Sequence, residues 1–163
     1  MRRDRDAELT AFVEARRPAL RRFAYALCGD WHRADDLVQT ALVKTYLAWD
    51  RLHTEGREEA YVRRAILTSH VDEGRRPWRR ERTSLDGHDR AVDAPDHGDR
   101  PALVAALQTL PVMQRQVVVL RYLVDLSVEE VAAELGISTG TVKSHASRGR
   151  EQLRSRLGST TIT

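Results

Sequence analysis

LSVEEVAAELGISTGTVKSHASRGREQL, residues 126–153, sets what the rest of the chain must accommodate. Ser127 followed by Glu130 is a capping box: the hydroxyl accepts from an orphan amide of the first turn and the carboxylate reaches back to the cap. A helix is therefore expected to start at Val128, with Val131, Ala132 and Leu135 on one face. Gly136 supplies the left-handed conformation that ends it, and Ile137 plugs the turn. Ser138 caps a second helix in which Val142, Ala146, Gly149, Leu153 and Leu157 recur at spacings of four and three, one apolar stripe.

The opposite face of that second helix carries the chemistry. At 100° per residue, Gly140, Ser144, Ser147 and Arg148 lie roughly opposite Val142, with Thr141 and Lys143 on the flanks and Thr139 at the start. Small hydroxyl residues let a helix seat closely in a DNA major groove, where Lys143 and Arg148 reach guanine edges or phosphates. An amphipathic hairpin with a merely solvated basic face is the plainer reading. Against it stand the short Gly136-Ile137-Ser138 turn, the small Ala132 where the helices cross, and five basic residues against one acid from Lys143 to Arg156. The sequence favours a helix-turn-helix.

The remainder of the 163 residues fits an all-α chain of two small domains. Ala, Leu, Arg and Glu dominate, and aromatic residues are only 6%. Residues 1–82 hold 18 basic and 14 acidic side chains, residues 83–100 hold 2 and 5, and residues 101–163 hold 7 and 5. Two basic lobes thus flank an acidic bridge, a distribution suited to touching a polyanion in two places. Cys28 is the only cysteine, which excludes an internal disulfide and a thiolate metal cluster and agrees with a reducing cytoplasm. The charged start, MRRDRDAELTAF, lacks the apolar core of a signal peptide, and membrane insertion is not expected.

In the first lobe, Leu9, Phe12 and Val13 begin an apolar pattern that Leu20, Phe23, Ala24 and Leu27 resume, with a break or kink expected near Arg17 because of Pro18. Gly29 and Asp30 end this element. A further helix is expected from Ala34 through Leu37, Val38, Ala41, Leu42, Thr45 and Trp49, its other face carrying Asp35, Asp36, Gln39, Thr40 and Lys44. Adjacent carboxylates point about 100° apart and no helix-spaced His or Glu completes a ligand set, so Asp35 and Asp36 read as favourable to the helix dipole and as a polar docking face rather than as a metal or acid–base pair. Residues 50–58 read as a loop. Ala60, Tyr61, Val62, Ala65, Ile66 and Ser69 mark the next helix, running into RRPWRRER at Arg75–Arg82. Seven basic and three acidic residues between Arg63 and Arg82, with Tyr61 and Trp78 interleaved, are the charge and flat rings that unstacked bases need; solvated helix ends would look similar.

Residues 83–100, with five Asp, read as a flexible linker, and His88 and His97 within it have no metal-ligand spacing. Pro101 opens a helix striped by Leu103, Ala106, Leu107 and Leu110; Pro111 starts another striped by Met113, Val117, Leu120 and Leu123. Residues 101–158 thus make a four-helix lobe, and 159–163 a frayed tail. No glycine-rich phosphate loop, metal-ligand set or nucleophile–base arrangement is visible, so neither cofactor, metal nor enzymatic activity is expected.

These stretches resemble the sigma factors of bacterial RNA polymerase, specifically the small extracytoplasmic-function group. ADDLVQTALVKTYLAW (34–49) looks like the helix that docks on the polymerase clamp. AYVRRAILTSHVDEGRR (60–76) is similar to the segment handling the melted minus-10 element, and residues 110–154 look like the promoter-binding C-terminal region. The resemblance implies clamp binding through Asp35, Asp36, Gln39, Thr40 and Lys44. It implies minus-10 contacts by His53, Arg57, Tyr61, Arg64, Arg75 and Arg76, with base capture by the loop His53–Glu58. It implies minus-35 reading by Thr139, Thr141, Lys143, Ser144, Ser147 and Arg148. Core polymerase (clamp and flap), promoter DNA and an anti-sigma factor are the implied partners. Thr40, Thr68, His145 and Gly149 depart from the acid, Asn, Arg and Ala usual in that family. A stand-alone helix-turn-helix regulator would explain residues 126–153 as well, but not an Arg-rich helical first lobe. A polymerase-binding interaction protein would not need the groove face.

Overall fold

The computed structural model describes residues 2–74 and 101–158. The expected contacts of Arg75 and Arg76, the linker 83–100 and the tail 159–163 lie outside the described residues. All the regular elements within them are helical: α1 (Arg2–Cys28), α2 (Trp31–Leu47), α3 (Trp49–Glu55), α4 (Glu58–Gly74), α5 (Pro101–Leu107), α6 (Val112–Val118, continued by a π-helical turn at Val119–Leu123), α7 (Val128–Leu135) and α8 (Thr139–Leu157).

Helix α1 packs on α2 and α2 on α4, with Leu20, Phe23, Leu27, Trp31, Leu37, Val38, Val62 and Ile66 as the buried seam. Three local expectations fail here. α1 runs unbroken through Pro18, which removes one main-chain hydrogen bond from a helix anchored by the burial of Leu20, Phe23, Ala24 and Leu27. α2 starts at Trp31 rather than Ala34, because Asp30 does not end the chain's first element but caps the second, its Oδ1 accepting from His32 N at 2.8 Å and Arg33 N at 3.1 Å. Consequently Asp35 and Asp36 lie beyond the first turn, and the helix-dipole reading of them is withdrawn. The expected loop 50–58 is largely helix α3: Trp49 and Leu52, 2% and 1% exposed, anchor it, and Gly56 in the left-handed region (φ 67°) closes it.

In the second lobe the caps stand where the sequence puts them. Ser127 Oγ accepts from Glu130 N, Glu130 Oε1 accepts from Ser127 N, and Gly136 (φ 70°) ends α7. Ser138 Oγ accepts from Thr141 N at 3.1 Å and opens α8, whose Val142, Ala146, Gly149 and Leu153 are buried. Helix α6 departs from its expected stripe. Residues Arg115 to Leu120 are buried in succession, whereas Met113 and Leu123 are 36% and 50% exposed. α6 is the central helix of this lobe, and the π-turn shifts the facing of residues after Val118.

The two lobes are packed together. A single apolar cluster joins Leu27, Ile66 and Leu67 to Leu107, Leu110, Val117 and Leu120. Arg115, buried, donates to the carbonyls of Leu107 (3.0 Å), Gln108 (3.3 Å) and Leu110 (3.1 Å) in its own lobe and to Leu27 O (2.6 Å) at the end of α1. Gln108 Nε2 donates to Ala26 O at 3.0 Å. Arg63 on α4 forks onto Glu134 on α7, Nη2 to Oε1 at 2.5 Å.

Candidate nucleic-acid and polymerase interfaces

The outward face of α8 is built by the burial of its other side. With Val142, Ala146, Gly149 and Leu153 fixed inward, Thr139, Gly140, Lys143, Ser144, Ser147 and Arg148 are all exposed. Among the described residues no carboxylate pairs with Lys143 or Arg148, so both cations are available to a phosphate or a guanine edge. Thr141 differs from its neighbours: half-buried, its Oγ1 accepts from Ser138 Oγ at 2.9 Å, so it stiffens the helix start. His145 is likewise half-buried, with Nδ1 enclosed and without a hydrogen-bond partner among the described residues.

Gly149 explains its own departure from alanine. A Cβ there would meet Val118 Cγ2 at 2.6 Å, so α8 approaches α6 closely only because residue 149 has no side chain. That approach seats α8, and with it the spacing of the exposed face.

On the first lobe, α2 presents a second outward face. Asp36, Gln39 and Thr40 share it with Val43 and Leu47, which are 56% and 74% exposed; Lys44 is exposed at its flank. Val43 and Leu47 escaped the sequence reading, though apolar residues on a face read as polar were the available signal. Asp35 lies about 100° off this face and is engaged by Arg21, Nε to Oδ1 at 2.5 Å, while the same guanidinium covers Trp31 at 4.7 Å.

The residues expected at a melted strand are dispersed in state. His53 is stacked on Trp49 (5.0 Å, 14°) and held between Glu58 (Nδ1 to Oε2, 2.8 Å) and Glu8 (Nε2 to Oε2, 3.2 Å). The hydrogen bond to Glu58 raises the His53 pKa above its ordinary 6.5, with Glu8 adding to it. Arg57 pairs with Glu55 at 3.0 Å, Tyr61 is half-buried and Arg64 is exposed. His53, Arg57 and the exposed start of α4 do share one end of the first lobe.

Two family models match the chain: sigma-70 region 2 over residues 12–80 and sigma-70 region 4 over residues 100–153. An RNA polymerase sigma-E factor of Streptomyces avermitilis is 40% identical over 154 residues, covering 93% of this chain and 86% of its own length. That of Streptomyces coelicolor is 36% identical, covering 92% and 86%. The structure of the sigma factor RpoE of Bartonella quintana, solved with the anti-sigma factor NepR, superposes with a TM-score of 0.75 at 28% identity, covering 92% of this chain and 96% of that one. The structure of CnrH with the cytosolic domain of CnrY has the same fold, at a TM-score of 0.68.

A helix-turn-helix with an exposed basic face, packed against a second helical lobe, is the framework of a transcription initiation factor; the chain belongs to the sigma-70 family, in its extracytoplasmic-function group. Its function is promoter-directed initiation of transcription. Among the described residues no helix is long and apolar enough to cross a membrane.

Proposed function

We propose that this protein docks on core RNA polymerase through the outward face of α2 and reads the minus-35 element as duplex with α8. Asp36, Gln39, Thr40 and Lys44 give the docking face its polar rim, and Val43 and Leu47 the apolar centre; Asp35 contributes by fixing Arg21. On α8, Lys143, Ser144, Ser147 and Arg148 enter the major groove, Thr139 meets a phosphate, and Thr141 holds the helix start. His53, Arg57, Tyr61 and Arg64, followed by Arg75 and Arg76, handle the melted minus-10 strand. The domains are the minus-10 lobe 1–82, the linker 83–100 and the minus-35 lobe 101–158. The exposed apolar residues Tyr122 and Leu123 suit the polymerase flap. An anti-sigma factor is the partner expected to restrain it, the protein acts in the cytoplasm, and catalysis belongs to the polymerase.

The observation that carries this reading is the exposed Lys143–Arg148 face opposite the buried stripe Val142, Ala146, Gly149 and Leu153. Run-off transcription by core polymerase on fragmented genomic DNA, with and without the protein, tests it. Discrete start sites are expected only with the protein, and Arg148→Ala is expected to weaken them by roughly tenfold or more, the worth of one good base contact. Binding of the isolated protein to promoter duplex with no gain from polymerase would refute the reading.

A further inference from the structure

At the end of the first lobe where the melted strand is expected, one side chain has both of its polar atoms already engaged. His53 of α3 places Nδ1 2.8 Å from Glu58 Oε2 at the start of α4 and Nε2 3.2 Å from Glu8 Oε2 on α1. One face of its ring rests on Trp49, which in turn meets Phe12 of α1 at 5.5 Å. A neutral imidazole has a single N–H, whereas ionised carboxylates only accept, so both contacts are hydrogen bonds only when the ring is the imidazolium. That cation is matched by one carboxylate from each of two neighbouring helices, and neither nitrogen has a proton left for a base or a phosphate.

The other charges around the ring pair with one another: Arg5 of α1 with Asp50 of α3 at 3.3 Å, Arg16 of α1 with Glu59 of α4, and Arg57 with Glu55 at 3.0 Å. Helix α2, the remaining neighbour of α3, brings no charged group to the ring among the described residues. The turn between α3 and α4 is open where Gly56, at φ 67°, has nothing within 4 Å of a would-be Cβ. Main-chain bonds tie that turn to α3 (Arg57 N to Leu52 O, 3.0 Å) and to α4 (Tyr61 N to Arg57 O, 3.1 Å), and among the described residues none ties it to α1. Its placement against α1 therefore rests on the buried Trp49 and Leu52 and on the grip of His53 upon Glu8. Arg57, with 67% of its side chain exposed, is carried by this turn.

We propose that His53 is a positioning residue: gripped by Glu8 and Glu58, it sets the turn that carries Arg57, and it acts on the melted strand through that turn rather than by touching it. This role rests on the minus-10 function proposed for this end of the first lobe, and it makes His53 the support of a strand contact instead of the contact itself. A dependence on pH follows. The hydrogen bond to Glu58, with Glu8 adding to it, raises the ring's pKa above 6.5. A raised folded value means that the grip is complete below 6.5 and is lost as the pH climbs through that value, so strand handling weakens on the alkaline side. Glu8 lies on none of the faces assigned to DNA or polymerase, so the grip can be altered without removing a reading residue.

Two measurements on the full chain test it. In the free protein the His53 ring resonance, identified by its absence from His53→Gln, is titrated by NMR; its midpoint is expected above 6.5, and Glu8→Gln is expected to lower it. Run-off with core polymerase is then read across the same pH range as the ratio of wild type to variant, which cancels the polymerase's own pH dependence. For His53→Gln and for Glu8→Gln alike the ratio is expected to be about two- to fivefold on the acid side, the usual worth of exposed ion pairs, and to fall toward unity as the grip titrates. The two changes together are expected to cost no more than either alone. A loss with His53→Gln but none with Glu8→Gln would mean that the free face of the ring meets the strand, and would reject the positioning role. A midpoint at or below 6.5 would reject it too. Start sites absent with every chain, wild type included, would overturn the promoter reading and this role with it, whereas the first two results overturn this role alone.

Discussion

Replacing a helical glycine by alanine ordinarily stabilises a protein by about 1 kcal/mol. At Gly149 the added Cβ would instead press on Val118 Cγ2 at 2.6 Å, inside a lobe whose neighbours cannot withdraw. Gly149→Ala is therefore expected to lower stability by roughly 1–2 kcal/mol. In urea melts a cycle with Val118→Ala should show the two changes compensating each other by about 1 kcal/mol or more. A second residue-scale prediction concerns His70 on α4, buried between the lobes. Burial, then the nearby charges of Arg115 and Arg33, lower its pKa from 6.5 to about 4. Because the folded value is the depressed one, the neutral ring's contribution is complete above pH 6.5. It is lost progressively as the pH falls toward 4, by up to about 3 kcal/mol. His70→Leu should flatten this acid-side loss, seen by following melts from pH 7 to 4.

At the scale of elements, what the sequence disclosed was local chemistry with one outcome. Ser127 with Glu130, Gly136 and Ser138 each act on backbone groups within four residues, so their caps and turns could be read directly. The groove face of α8 followed from the same periodicity. Elements whose form depends on distant partners could not be read this way. Pro18 is tolerated because α1 is held by packing from Leu20 onward, and α3 forms because Trp49 and Leu52 find a buried site. The π-turn at Val119–Leu123 has no sequence marker, and it displaced the stripe expected through Leu123. The docking face was half legible: its polar rim appeared as a run of hydrophilic residues. Val43 and Leu47 stood out only once the buried side of α2 was known.

For the whole molecule the central residue is Arg115, which no motif announced. Its guanidinium serves three carbonyls of its own lobe and one of α1, and burial pushes its pKa down. Arg115→Met would strand these acceptors together, and a loss of roughly 3 kcal/mol is expected. Hydrogen exchange should localise the damage to the last turn of α1 as well as to α5 and α6. The carbonyls at the end of α1 are capped from within the same chain. Contacts of that kind form by a first-order event, so their occupancy is the same at nanomolar and at micromolar protein.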